Sequence, residues 1–240
     1  MTATTAPRLP DWDDSLESPV RPELRDRTRT RLAVVGGAAV AGAVLSWLAL
    51  GLIGVAAFAA LFAGAIVWIV SNSGRGMLRR EGAHRVKPGT SPRLENMVAG
   101  LAEQTKMAPP EVWMIDDDAP NALVCFTKRP AIAVTRGLVD SYTRTELKAV
   151  IAHCYVRLAG TSTPLARTLL ALSYVSPAFG VPVGDADDLQ AAAVTRYPPA
   201  LATAISRAAP RRGRGAAFWF AAEDGAHVPP AERTAALLEL

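Results

Sequence analysis

The feature that most limits how this chain can fold is a long uncharged segment near its N-terminus. No charged residue lies between Arg31 and Arg75, and most of the intervening residues are apolar. A single membrane-spanning helix needs ~20 apolar residues, so this segment is about twice as long as one crossing requires. Glycines near its middle, Gly51 and Gly54, favour a tight turn. The sequence therefore predicts two transmembrane helices over residues 32–71.

Arginines flank the apolar segment on both sides and predict its orientation. They are Arg25, Arg27, Arg29 and Arg31 before it and Arg75, Arg79 and Arg80 after it. A helical hairpin places both flanks on one side of the membrane, which the positive-inside rule makes the cytoplasmic side. We therefore expect a multi-pass protein of the cell membrane. A disordered cytoplasmic tail is expected over residues 1–31, and a cytoplasmic domain over residues 72–240.

The overall composition is basic, with a net charge of +4 and a pI near 9.4. Arginines beside the membrane segment and in the loop Arg211–Arg214 contribute to this charge, and attraction to anionic lipid explains such clusters. No nucleic-acid fold signature accompanies them. Cys125 and Cys154 fall in the region assigned to the cytoplasm, where a disulfide is not expected. The expected partner is the lipid bilayer, and nucleic acid is excluded.

The remainder of the chain indicates an α+β domain that is mainly helical and has a small β-sheet. A capping box, Thr143-x-x-Glu146, opens one of its helices. The two central strands form a hairpin around Lys128–Pro130. The predicted helices cover residues 92–106, 143–159, 187–194, 199–208 and 229–239, and the predicted strands cover 111–115, 121–126, 131–135 and 216–220.

A second uncharged stretch, Thr168–Val183, is short and is interrupted by Pro177 and Pro182. It fits either a re-entrant or membrane-surface element, or a buried helix followed by a loop. The sequence leaves both alternatives open.

The helix opened by Thr143 carries the residues that bear on chemistry. Positions i and i+4 of a helix share a face, so the motif H-E-x-x-H presents two histidines to one zinc ion, and its glutamate serves as general base. At these three positions the chain has His153, Cys154 and Arg157. Arginine is always protonated and has no lone pair for a metal. Cys154 lies about 100° round the helix from His153. Only His153 remains as a ligand of this motif.

Several blocks of sequence around this helix share a pattern with one peptidase family. They are Pro120–Leu123, Ala131–Leu138 and Glu146–His153, with looser matches at Asp188–Pro199 and His227–Arg233. Together they resemble the HtpX-like family of zinc metalloendopeptidases of the bacterial inner membrane, which are related to the CAAX prenyl proteases. The resemblance implies a metallopeptidase-type fold for the cytoplasmic domain. It also implies a substrate groove beside the sheet, at Asn121, Ala131 and Ala133, where an edge strand pairs with an extended peptide.

The resemblance also locates the third zinc ligand, which in the family is the glutamate of an E-x-x-A-D motif. Alignment from Thr195–Pro198 places Gly184 at that ligand position and Asp188 at the end of the motif. Asp185 is one residue away and would substitute if the register shifted. Of three ligands and one general base, only His153 is then retained. The resemblance therefore implies the fold rather than the activity.

Three hypotheses follow. The first is a catalytically inactive pseudopeptidase that binds or scaffolds a membrane protein or an extended peptide and needs no cofactor. In it, Arg157 replaces the metal by pairing with one of the carboxylates Asp185, Asp187 and Asp188. The second is a zinc-dependent membrane endopeptidase with altered ligands, for example His153 and Asp185. The third is a cysteine hydrolase that uses Cys154.

Overall fold

The computed structural model describes residues 22–176, 185–223 and 227–240, and its first element is the long helix α1, Pro22–Arg80. The backbone of α1 leaves the helical conformation at Gly51, where φ is 61° and ψ is −147°. The Phe58 ring lies where a Cβ on Gly42 would be. Along a straight helix, the rise between Gly42 and Phe58 would be ~24 Å. The parts of α1 before and after Gly51 therefore approach each other at Gly42 and Phe58.

The part of α1 from Ala33 to Arg80 is long and apolar enough to cross a membrane. Its large apolar side chains face outward, and Leu52 and Ile53 are each 81% exposed. The predicted apolar N-terminal helix is confirmed. Its division into two membrane crossings and its orientation stay predictions. Residues 22–31 of the tail predicted to be disordered belong to α1, and residues 1–21 lie outside the described part of the chain.

A small mixed sheet follows α1 and a second helix. Its strands are β1 (His84–Arg85), β2 (Glu111–Ile115), β3 (Ala122–Phe126) and β4 (Pro130–Thr135), and helix α2 (Pro92–Thr105) lies between β1 and β2. The spatial order is β1-β2-β4-β3, with β2 and β4 parallel and the other pairs antiparallel. The predicted hairpin of β3 and β4 is confirmed, and β3 lies at the edge of the sheet.

Alternate residues of β3 and β4 enter two different cores. Val124 and Ile132 belong to the core beneath the helix that contains His153. Cys125 and Ala133 belong to a second core, which contains Met77 near the end of α1. Both faces of these strands are therefore buried, which explains why their sequences are apolar without alternation.

Further helices surround the sheet. They are α3 (Arg136–Ser141), α4 (Arg144–Gly160), α5 (Pro164–Val175), α6 (Asp185–Thr195), α7 (Pro198–Arg207) and α8 (Pro230–Leu238). Within Thr168–Val183 the chain is helical up to Val175, and residues 177–184 lie outside the described part of the chain. The remaining elements are a 3₁₀ turn at Ala216–Phe218 and the parallel strands β5 (Arg211–Arg212) and β6 (Ala222–Glu223).

The strand predicted over residues 216–220 is wrong. Gly215 adopts a left-handed conformation with φ 80°, and the Phe218 and Trp219 amides donate to the Gly215 and Ala216 carbonyls. These hydrogen bonds close a 3₁₀ turn, so the amides are not free to join a ladder. A single antiparallel bridge follows, between Leu123 and Trp219.

Helix α4 is anchored by the predicted capping box. The Thr143 side chain accepts a hydrogen bond from the Glu146 amide, and a Glu146 carboxylate oxygen accepts one from the Thr143 amide at 2.7 Å. Burial alone would raise the pKa of Glu146, but hydrogen bonds from Thr143 and Arg207 outweigh it and lower the pKa. A fixed N-terminus and nearly complete burial give α4 a defined rotation in the core, which determines where His153 and Arg157 point.

Candidate active site

His153 lies in the middle of α4 and is completely buried. Its Nδ1 lies 2.9 Å from an oxygen of Asp188 on α6, although the approach is not aligned as a regular hydrogen bond. The imidazole meets the Phe220 ring edge to face, with centroids 4.9 Å apart. Nε2 is buried and has no hydrogen-bond partner among the described residues.

Asp188 is held by a second charged group, Arg233 on α8. The guanidinium donates to both carboxylate oxygens, from Nε at 2.6 Å and from Nη2 at 2.8 Å. Burial alone would raise the pKa of Asp188, but the charge and hydrogen bonds of Arg233, together with His153, lower it to about 2. Asp188 is therefore ionised at neutral pH. His153, Asp188 and Arg233 form a connected group, here called the orienting triad.

The orienting triad has the arrangement that supports a metal-ligating histidine. Such a histidine commonly directs one ring nitrogen to a carboxylate, which fixes the ring and leaves the other nitrogen for the metal. In this chain Asp188 contacts Nδ1 and leaves Nε2 of His153 for that role. The helix predicted over residues 187–194 is thus part of α6 and lies against His153.

Arg157 lies one turn further along α4, on the same face as His153. Its guanidinium donates from Nη1 to the Trp219 carbonyl at 2.7 Å and from Nη2 to the Ala217 carbonyl. The His227 ring also approaches the Trp219 carbonyl, with Nε2 at 3.0 Å. The side chain at the second ligand position of the motif is therefore used to bind main-chain carbonyl oxygens.

The carbonyls bound by Arg157 belong to a stretch that we call the covering segment, Ala216–Ala222. Each of its residues is between 1% and 5% exposed. It runs along the outer edge of β3, where the Phe220 amide donates to the Ala122 carbonyl at 2.7 Å. Arg233 also donates to the Phe220 carbonyl, at 3.0 Å. The covering segment thus joins β3, α4 and α8 above His153.

The predicted substrate groove has to be corrected in the light of these contacts. Ala131 and Ala133 lie on β4, an interior strand whose two edges are used by β2 and β3. Asn121 is buried, and its amide group bonds to the Ala221 carbonyl at 2.9 Å and to the Ala221 amide at 3.2 Å. These residues hold the chain's own covering segment in place, and an added peptide strand cannot pair with β4.

The predicted ion pair between Arg157 and α6 stays a prediction. Of its three candidate partners, Asp188 is paired with Arg233 and His153, while Asp187 lies within the electrostatic influence of Arg157. Gly184 and the side chain of Asp185 lie outside the described part of the chain. The site residue that sequence reasoning missed is Arg233. It belonged to a matched block, but nothing in the local pattern indicated that it would meet a carboxylate 45 residues away.

Cys154, at the general-base position of the motif, is buried, and its thiol is unreactive. Burial raises the pKa of its thiol to about 12, although the charge of Arg157 acts in the opposite direction. A nucleophile or a zinc ligand must be a thiolate, and at neutral pH this cysteine is protonated. The cysteine-hydrolase hypothesis therefore has no support from the geometry.

Asp187 is the remaining carboxylate near the site. It retains intermediate solvent exposure, but the protein atoms around its carboxyl group desolvate it and raise its pKa. The charges of His153 and Arg157 act in the opposite direction. Asp187 therefore lies close enough to His153 and Arg157 for their charges to affect its pKa.

The described residues do not fit a catalytic zinc ion. They contain no group of three or more histidine, cysteine, aspartate or glutamate side chains placed to hold a metal. A catalytic zinc requires about three protein ligands and an open position for water. Here one candidate ligand, His153, is followed on the same face by a permanent cation, Arg157, which repels a second one.

The capped helix, its buried histidine and the orienting carboxylate together have the arrangement of a metallopeptidase-type domain, in which the described residues contain no group of three side chains placed to hold a metal. Residues 88–155 match Peptidase family M48. The chain is 35% identical over 120 residues to the Protease HtpX homolog of Leuconostoc mesenteroides, covering 48% of this chain and 40% of that protein. It is 36% identical over 129 residues to the homolog of Acidiphilium cryptum, covering 52% and 44%. The sequence blocks that resemble HtpX-like proteins are thus supported by a match to an M48 peptidase model and by similarity to two HtpX homologs.

Among solved structures, the chain is similar to the crystal structure of S. mikatae Ste24p. The TM-score is 0.48 at 15% identity, and the match covers 90% of this chain and 66% of that one. The matched stretch of sequence spans less than half the length of the two HtpX homologs named above.

Proposed function

We propose that this protein is a membrane-anchored M48 homologue that no longer cleaves peptides and acts by binding or scaffolding. The observation that carries the proposal is the contact between Arg157 and the Trp219 and Ala217 carbonyls. In a zinc peptidase, the metal activates water and polarises the carbonyl that is attacked. Here a fixed cation at a metal-ligand position binds carbonyls of the protein's own chain, and these carbonyls are not substrates.

The chemistry of the neighbouring side chains supports the same conclusion. Hydrolysis by this type of site needs a general base beside the bound water. The residue at that position, Cys154, is a protonated thiol with a pKa of about 12. Glu146, the nearest glutamate before His153 on α4, is used by the helix cap and by Arg207. The residue that follows His153 in the motif therefore cannot serve as the general base, and Glu146 is not free to replace it.

A second candidate, a zinc peptidase with altered ligands, is favoured by one observation. His153 keeps its orienting carboxylate, and its Nε2 is buried without a partner among the described residues. A buried polar atom in that position costs free energy unless something binds it. Zinc held by His153 and by residues near Asp185 would satisfy it.

Elemental analysis of the full-length protein purified in detergent separates the two candidates, with His153→Ala measured alongside. We expect less than 0.1 zinc per chain in both samples, before and after incubation with zinc and desalting. One zinc per chain in the native sequence, lost in His153→Ala, would overturn the pseudopeptidase proposal. Casein cleavage that a chelator stops would do the same.

We further propose that α1 forms two membrane crossings with both ends in the cytoplasm. The halves on either side of Gly51, residues 33–50 and 52–70, measure ~27 and ~28 Å as helices. A hydrocarbon layer is ~30 Å thick, so each half is long enough for one crossing. The contact between Gly42 and Phe58 supports the close packing of the two halves.

Thiol labelling in intact cells tests this topology, because both native cysteines are buried and have pKa values near 12. A membrane-impermeant maleimide is expected to label Leu52→Cys from outside the cell. It is expected to label Arg80→Cys only after the cells are broken. Labelling of Arg80→Cys in intact cells would contradict the orientation, and protection of both positions would contradict a turn at the outer surface.

A further inference from the structure

A cavity of about 290 Å³ lies where α1 meets the sheet, away from His153. Its walls come from the last turns of α1, from β2 and from the turn between β3 and β4. The lining residues are Arg75, Leu78, Arg79, Ala83, Glu111, Trp113, Thr127 and Lys128. The cavity therefore combines cationic side chains with an apolar wall formed by Leu78 and the Trp113 ring.

Three cations at this cavity are available to a ligand. Arg75, Arg79 and Lys128 are exposed, and among the described residues they have no ion-pair or hydrogen-bond partner. Arg75 and Arg79 are four residues apart on a helix, so both side chains project toward the same side. The three residues thus present a positive surface that the protein itself does not neutralise.

Glu111, the carboxylate in the cavity lining, already interacts with other residues of the protein. Glu111 lies 3.6 Å from the Arg85 guanidinium and accepts a weak hydrogen bond from the Thr127 hydroxyl at 3.4 Å. Arg85 is outside the cavity lining and offsets the charge of Glu111. The lining therefore carries three cations and one partly neutralised anion, which favours an anionic ligand.

The position of the cavity along α1 indicates where that ligand comes from. Arg75 lies five residues and Arg79 nine residues beyond Val70, which corresponds to ~7.5 and ~13.5 Å along a helix. The headgroup layer on each side of the hydrocarbon core is ~5–8 Å thick. Helical side chains tilt toward the helix N-terminus, which in this half of α1 is the direction of the bilayer. Both guanidiniums can therefore reach headgroup depth.

We propose that this cavity binds the phosphoryl headgroup of an anionic phospholipid. Arg75, Arg79 and Lys128 contact the phosphoryl oxygens, and Leu78 and Trp113 cover the adjoining glycerol and acyl carbons. Arginine suits this role because its planar group bonds to two phosphate oxygens at once. The proposal rests on the proposed membrane insertion of α1, and it is independent of whether the peptidase site is active.

Thermal unfolding of the full-length protein in detergent tests the proposal with three additives: phosphatidylglycerol, phosphatidylcholine and inorganic phosphate. We expect phosphatidylglycerol to raise Tm by several degrees, and native mass spectrometry to show it bound in preference to phosphatidylcholine. The variant R75Q/R79Q is expected to bind phosphatidylglycerol at least about tenfold more weakly. Inorganic phosphate is expected to have no comparable effect, because it lacks the apolar part.

The matched control is R144Q/K148Q, which removes two exposed cations at the same four-residue spacing on α4. We expect this variant to bind phosphatidylglycerol as the native sequence does. An equal loss of phosphatidylglycerol affinity in R75Q/R79Q and R144Q/K148Q would overturn the proposal, because it would indicate a general attraction between the positively charged surface and anionic lipid. An equal response to inorganic phosphate would overturn the lipid assignment in favour of a soluble phosphoryl ligand. Carbonate-resistant membrane association of all variants tests the membrane insertion of α1 separately.

Discussion

His153 and Arg157 lie one turn apart on the same face of α4, yet they belong to two different arrangements. The region around His153 keeps the buried carboxylate and arginine that would hold a metal-ligating histidine in place. In the region around Arg157, the side chain at the second ligand position of the motif is hydrogen-bonded to the covering segment. The comparison indicates that the supporting contacts serve the stability of the domain, because they are present although the described residues contain no group of side chains placed to hold a metal.

The largest effect is expected from breaking the orienting triad at Arg233. The variant Arg233→Ala leaves Asp188 as a buried charge whose remaining described ion-pair partner is His153, and removal of one partner of a buried pair costs about 3–5 kcal/mol. Chemical unfolding in detergent measures this loss. Arg144→Ala, at an exposed site on α4, serves as the control and is expected to change stability by less than about 0.5 kcal/mol. Equal effects would show that the triad contributes no special stability.

A smaller loss is expected from Arg157→Ala, about 2–3 kcal/mol, because the hydrogen-bond acceptors described for Arg157 are neutral carbonyls. The Trp219 carbonyl also keeps the nearby His227 ring at 3.0 Å. Arg157→Lys is expected to recover part of the loss, since an ammonium group can still donate to one carbonyl. If Arg157→Ala destabilises the protein as strongly as Arg233→Ala, the proposed difference between the two regions is wrong.

The pH dependence of stability distinguishes the two regions further. The pKa of Asp188 is lowered from 3.8 to about 2, so the folded state favours the ionised carboxylate. Its contribution, roughly 2 kcal/mol, is fully present above pH ~4 and is lost as the pH falls toward 2. Unfolding of Asp188→Asn between pH 2 and 5 is expected to show a shallower pH dependence than the native sequence. Parallel curves would contradict the ionised state of Asp188.

The smallest effect concerns Cys154, which lies between the two regions in sequence. With a pKa of about 12, on the order of one thiol in 10⁵ is ionised at pH 7. A thiol reagent is therefore expected to label neither cysteine in the folded protein and to label both in denaturant. Rapid labelling in the folded state, lost in Cys154→Ala but retained in Cys125→Ala, would restore the cysteine-hydrolase hypothesis.

Local sequence patterns predicted the parts of this fold that depend on local contacts. The capping box at Thr143 fixed the start of α4, and the two apolar runs around Lys128 formed the hairpin of β3 and β4. The positions of His153 and Arg157 on one helical face followed from helical geometry alone. Each of these features depends on residues that are close together in the sequence, so a local pattern is enough to predict it.

The parts that sequence could not predict depend on contacts between distant residues. The pairing of Asp188 with Arg233, and the use of Arg157 to bind the Trp219 carbonyl, require knowledge of which helices meet. The stretch around Phe218 was predicted as a strand from its apolar character. The left-handed Gly215 and two turn hydrogen bonds instead form a 3₁₀ turn with a single bridge to β3.

The covering segment has a consequence for any extended peptide that approaches the outer edge of β3. This edge is bonded to the covering segment of the same polypeptide, which never diffuses away. A segment held in the same folded chain competes at a high effective concentration. An incoming peptide must therefore displace the covering segment before it can pair with β3. Recognition at this edge becomes an exchange reaction, in which Trp219 and Phe220 leave β3 before the peptide binds.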